Sequence, residues 1–121
     1  MNKEMENQLK AASINVEDLM ERLVGNMNLI TRFLKRFPDD KSYEQLVDSI
    51  SKGDMEGAFR AAHTLKGICA NLSMTKLYNV VSKLVEALRA KDIEKGIALM
   101  PEVTKEYESM VEAIRNINWE Q

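Results

Sequence analysis

The chain has 121 residues, of which 45% are hydrophobic and 30% charged, enough for one soluble domain with a single core. Its formal net charge of −2 argues against general nucleic-acid binding. One cysteine excludes an intramolecular disulfide, one Cys and one His leave a structural zinc site without its ligands, and no stretch approaches the ~20 apolar residues of a membrane span.

With five Gly, two Pro and few alternating apolar-polar runs, the pattern predicts an all-α fold. Residues 1–13 read as a polar lead, helical in part, without the apolar stretch of a signal peptide. The bundle domain is expected over residues 14–118. Asn15 is an N-cap for a short helix with Glu17 and Asp18 in its first turn and Val16, Leu19, Met20 and Leu23 on its apolar face; Gly25 ends it. Asn26 opens a second helix, whose apolar side is Met27, Ile30, Phe33, Leu34 and Phe37, broken at Pro38. A third runs through Tyr43, Leu46, Val47 and Ile50 to Gly53.

Asp54 caps the next helix, over about residues 54–71, with Asn71 expected in the left-handed conformation that ends it. Ser73 is the expected cap of a helix over about 74–90, which buries Leu77, Val80, Val81, Leu84, Val85 and Leu88. After a turn at Ala90, Lys91 and Asp92, the last helix carries Ile93, Ile97, Met100, Val103, Tyr107, Met110, Val111, Ile114 and Ile117 on its apolar side, with Pro101 as an expected kink or interruption. Short connections between such helices imply antiparallel neighbours, hence an up-and-down four-helix bundle with accessory N-terminal helices. Most of the eight methionines are expected to fill core space, with Met20 and Met74 partly exposed.

The only histidine lies in the fourth of these helices. Ala58, Ala62, Leu65, Cys69 and Leu72 form one stripe at helical spacing, and His63 points about 140° from its centre, toward solvent or a partner. Cys69, on the stripe, reads as a small core residue. Gly67 stands one turn after His63, where a glycine costs about 0.5–1 kcal/mol relative to Ala. Two readings of Gly67 compete: clearance for a partner's backbone or a phosphoryl group, and close packing against another helix. Its place opposite the apolar stripe favours clearance. Lys66, three residues after His63, is a helix-surface neighbour whose ammonium suits a phosphoryl group on the imidazole, or is simply a solvated lysine. Residues 52–91 carry seven basic and three acidic side chains, a net of +4, whereas residues 92–121 carry a net of −4. The basic third contains the histidine and suits an acidic partner. Phe59, Arg60 and Ala70 beside the histidine, with Val16 and Met20 on the first short helix, are the candidate partner-docking residues.

The run Ala62-His63-Thr64-Leu65-Lys66-Gly67, followed by Ala70-Asn71-Leu72, resembles the signature of histidine-containing phosphotransfer (HPt) domains. Gly53-Asp54 and the Leu23-Val24-Gly25-Asn26 turn before an apolar helix add to the likeness, which extends over roughly residues 14–115. It implies that His63 is the phosphoacceptor, that Lys66 assists the phosphoryl group and that Gly67 leaves the partner room. The family usually has glycine after Asn-Leu, where this chain has Ser73. The resemblance further implies receiver domains of response regulators as partners, with a hybrid histidine kinase upstream, and Mg²⁺ on the receiver rather than a cofactor of the chain's own. No Gly-rich phosphate loop is present, so ATP-dependent self-phosphorylation is not expected. A cytoplasmic, monomeric carrier that is not itself an enzyme is the expected assignment. Two alternatives stand beside it: a helical adaptor that docks a receiver or kinase without carrying phosphate, and the excised phosphoacceptor domain of a larger histidine kinase.

Overall fold

A computed structural model describes residues 1–119. Its helices are α1 (Lys3–Ala11), α2 (Val16–Arg22), α3 (Met27–Arg36), α4 (Ser42–Lys52), α5 (Met55–Asn71), α6 (Thr75–Arg89) and α7 (Ile93–Arg115), with a 3-10 turn at Phe37–Asp39. No strand occurs among the described residues. Caps set the starts. The side-chain oxygens of Asn15, Asn26, Asp54 and Asp92 accept from the backbone N–H groups of Asp18, Leu29, Gly57 and Lys95, which satisfies donors that a helix start leaves without partners.

Helices α4 to α7 pack consecutively, α4 on α5, α5 on α6 and α6 on α7, as an antiparallel bundle. The ring closes between α4 and α7 through aromatic contacts. Tyr43 stacks on Tyr107 at 3.9 Å between centroids, and its hydroxyl donates to Thr104 Oγ1 at 2.8 Å. Gly96 marks a close approach of α7 to α6, since a Cβ there would lie 3.1 Å from Leu88 Cδ2.

The structure corrects several expectations. The segment that reads as a polar lead is α1, whose Met5 and Leu9 are fully buried in the common core. Two apolar residues one turn apart suffice to dock a short helix, and the charged remainder hides them in the sequence. Val16 is buried rather than a docking residue, because the first turn of α2 aims Val16 and Leu19 together into the core; Met20, next on the wheel, is half-buried. Met74 is fully buried, in an isolated bridge with Ile14 that ties the α1–α2 loop to the α5–α6 loop: the Asn15 N–H donates to the Ser73 carbonyl, and the Thr75 N–H to that of Ser13. Ser73 is not a cap. It holds φ +56° itself, a role expected of Asn71, and the N-cap position of α6 is Met74, which makes no side-chain cap bond. Val47, Ile93 and Ile97, on the expected apolar sides of α4 and α7, are exposed. Helix α7 runs through Pro101 without interruption.

Candidate functional site

The site is built on α5, and the division of that helix into two faces positions it. Ala58, Ala62, Leu65 and Cys69 have no exposed surface, and Leu72 has almost none. Three of the buried positions are alanine (Ala58, Ala61 and Ala62), so α4 and α6 approach the helix axis closely and fix its rotation. His63 is thereby held outward, exposed, as the wheel arithmetic expects. Burial pushes the Cys69 thiol up to about 12, so the lone sulfur is a core atom rather than a nucleophile.

Around the imidazole the structure gathers an aromatic wall and cations. The Phe59 ring lies 5.9 Å from the His63 ring, tilted by 40°. The Arg89 guanidinium, from α6, sits 5.1 Å over the other partner in this stack, the Phe59 ring. Lys66 extends toward α6, its Nζ 5.9 Å from the centroid of Tyr78. Arg60 is exposed and paired with Glu56 at 2.9 Å, one turn before it on α5, so its charge is already partly answered. Ala70 is half-buried on the histidine side.

The two readings of Gly67 now separate. It is exposed, and a Cβ added there meets nothing within 4 Å. No helix of the protein itself needs the missing side chain, in contrast to Gly96.

Sequence reasoning missed Arg89 and Tyr78. Both lie on α6, and their approach to α5 depends on the antiparallel register of two helices, which no local pattern encodes. It also missed the cluster that anchors α2 beneath the site. The Ser73 hydroxyl donates to Asp18 Oδ2 at 2.6 Å, and Arg22 Nε donates to the same oxygen at 2.8 Å. These two donors, Ser73 first, hold the Asp18 carboxyl below the usual carboxylate range. Between α5 and the α2–α3 region lies a groove of about 890 Å³, lined by the apolar Leu23, Phe33, Phe37, Ile68 and Leu72 and by two charges of each sign, Arg22 and Arg36 with Asp39 and Asp40. No group of three or more His, Cys, Asp or Glu side chains is placed to hold a metal ion among the described residues.

A family model, the Hpt domain, matches residues 28–117, most of the chain and all of α4 to α7. The chain belongs to the Hpt domain family. No curated protein and no solved structure matches it. Hpt domains are phosphocarriers of phosphorelay signalling that act without a kinase activity of their own, in company with receiver and kinase components. The helical bundle and the exposed histidine are in keeping with that role. No described helix of this Hpt domain is long and apolar enough to cross a membrane. The match begins inside α3, so α1, α2 and the α2–α3 turn lie outside the part that the family model describes.

Proposed function

We propose that this Hpt domain carries a phosphoryl group on His63 between receiver domains. The observation that carries the reading is the open face of α5: an exposed imidazole with a lysine one turn on and a glycine whose absent side chain serves nothing inside the protein. A neutral imidazole nitrogen of His63 attacks the phosphorus of an aspartyl phosphate in line. The N–P bond forms as the acyl P–O bond breaks, the aspartate leaves as carboxylate, and the proton on the other ring nitrogen stays with the ring. The reverse step delivers the group to a second receiver.

Phosphoryl transfer depends on alignment and charge stabilisation more than on covalent machinery. Lys66 supplies a mobile point charge for the phosphoryl oxygens. Phe59, pinned under Arg89, supports one side of the imidazole and limits its rotation. Gly67 admits the partner's backbone. The receiver brings Mg²⁺ and the acidic residues that hold it. A hybrid kinase would supply the first receiver, and such a carrier works as a monomer in the cytoplasm, where receivers are charged.

The deciding experiment is transfer from a phosphorylated receiver to the wild-type chain and to His63→Gln. Acid-labile, base-stable label on the wild type alone supports the reading. Equal label on both moves the acceptor elsewhere, and binding without label favours an adaptor.

A further inference from the structure

Residues 116–119, which follow α7, run back against α1, and one side chain of α1 holds them at two points. The Gln8 amide nitrogen donates to the Asn116 carbonyl at 3.3 Å, and the Gln8 side-chain oxygen accepts from the Asn118 N–H at 3.0 Å. Glu4, one turn earlier on the same side of α1, accepts from the Asn118 side chain at 3.5 Å. Between the two bracketed residues, Ile117 is buried in the core. Beyond them, the Trp119 ring lies 5.8 Å from Lys35 Nζ on α3.

Helix α1 needs such a hold. It has 9 residues, too few to stay helical alone in water, so its anchors decide whether it remains folded on the bundle. Met5 and Leu9 are its buried residues. Toward α6 and α7 the packing is open: a cavity of about 420 Å³ is lined by Gln8, Ala12, Leu77, Met110 and Asn116, so the bracket stands at the edge of a gap rather than in a close-packed core.

The other end of α1 is tied to the loop between α5 and α6. Ser13, at φ +62°, offers its carbonyl to both the N–H and the hydroxyl of Thr75, each at 3.0 Å, and the Asn15 N–H donates to the Ser73 carbonyl at 2.9 Å. Ser73 turns the chain into α6, which carries Tyr78 to Lys66 and Arg89 to Phe59 beside His63. Helix α1 is therefore held at one end by residues 116–119 and at the other end holds the α5–α6 loop. Both α1 and residues 118–119 lie outside the stretch that the Hpt family model describes, so this connection is laid over the shared bundle.

We propose that residues 116–119 are a latch on α1. While the Gln8 bracket is closed, α1 stays docked and steadies the α5–α6 loop; opening the bracket frees α1 and loosens that loop. The two states differ by the undocking of one short helix, the kind of local opening that an element with few buried side chains undergoes. The consequence for His63 is slower transfer, because Tyr78 and Arg89 are then less firmly placed. That consequence rests on the phosphotransfer reading, and the latch itself does not.

The single tryptophan of the chain is part of the latch, so the full chain reports its own state. Gln8→Met keeps a long, unbranched side chain of similar helix propensity and removes both bonds of the bracket. Asn7→Met, at an exposed position of the same helix, is the control. Amide exchange is followed by NMR, together with Trp119 emission and transfer from a phosphorylated receiver. For Gln8→Met the expected exchange is about tenfold faster at Leu9 and Ala12, and at Asn15 and Thr75 in the linked loops, with Leu65 and Cys69 of α5 unchanged. Trp119 emission shifts to the red, transfer slows roughly threefold, and the control changes none of these. Unchanged exchange at Leu9 and Ala12 overturns the latch. Equal acceleration in α1 and α5 overturns it as well, because α1 then belongs to one cooperative core. Faster exchange in α1 with Asn15 and Thr75 unchanged overturns the coupling to the loop, and unchanged transfer with the loop loosened overturns the consequence for His63. A wild type that takes no label, while Gln8→Met frees α1 as expected, sinks the carrier reading and leaves the latch standing.

Discussion

Gly67→Ala should make the protein more stable and a worse phosphocarrier, and the two effects can be sized separately. The added methyl meets no atom within 4 Å, so no clash opposes it. What remains is helix propensity, since alanine gives up less backbone freedom than glycine, for a gain of about 0.5–1 kcal/mol. For a domain of this size that raises the thermal midpoint by roughly 2–5 °C. On the helix surface residue 67 sits one turn beyond His63 and about 40° around, where an in-line partner has to pass. Forcing a methyl into a close-packed contact costs about 1–3 kcal/mol, or roughly five- to 150-fold in kcat/KM for transfer. The assays are thermal unfolding followed by circular dichroism and rapid-quench transfer from a phosphorylated receiver. Destabilisation would mean that Gly67 is needed inside the fold. Unchanged transfer would mean that no partner approaches it, and either result refutes the clearance argument.

Other perturbations separate scaffold from site. Lys66→Ala should slow transfer while moving the thermal midpoint little, because a lysine over a half-buried aromatic at the surface contributes only about 1 kcal/mol; a large drop in midpoint would make Lys66 structural. Leu65→Ala, at a fully buried position on the opposite face, should cost about 2–5 kcal/mol in denaturant unfolding, and a cost below 1 kcal/mol would contradict its place in the core. With its thiol pushed up to about 12, Cys69 should resist alkylation at pH 8 until the chain unfolds; rapid native-state labelling would contradict its burial. The Asp18 carboxyl should titrate below the ordinary carboxylate range by carbon NMR and move back toward it in Ser73→Ala. Its folded pKa lies below the unfolded one, so the stabilisation is present above the unfolded value and is lost as pH falls through the folded value.

Much of the fold was legible because periodicity records burial. The α5 stripe from Ala58 to Leu72 and all six apolar residues expected to be buried on α6 are buried. The starts at Asn15, Asn26 and Asp54 are local chemistry and can be read locally, whereas Asp92, read only as a turn residue, caps α7. The reading failed where position depends on what lies across the bundle. Ile93 and Ile97 continue the apolar pattern of α7 yet are exposed, because a helical period marks a face and not whether a neighbour covers it. Met5 and Leu9 failed in the opposite sense, because two buried residues in a charged helix make too weak a period to register. Ser73 was misread because its hydroxyl serves a residue 55 positions away in sequence.

The same contrast explains why the histidine was easier to place than its surroundings. An exposed group on a helix is located by elimination once the buried face is known, and alanines make the buried face of α5 unambiguous. Phe59 could be placed beside His63 from spacing alone, one turn before it on the same helix. Arg89 could not. Its guanidinium reaches Phe59 from α6 only because the Ser73 elbow, with φ +56° and its hydroxyl on Asp18, turns the chain back at one angle and register. The placing of His63 therefore depends on local sequence, while its electrostatic surroundings depend on a loop ten residues away. Changes at Asp18 or Ser73 should consequently alter the rate of transfer at His63 without touching the imidazole. Ser73→Gly, which keeps the left-handed turn and removes the side chain with its hydroxyl, isolates that dependence: slower transfer with the helices intact would locate it in the bond to Asp18, and wild-type transfer would locate it in the backbone turn alone.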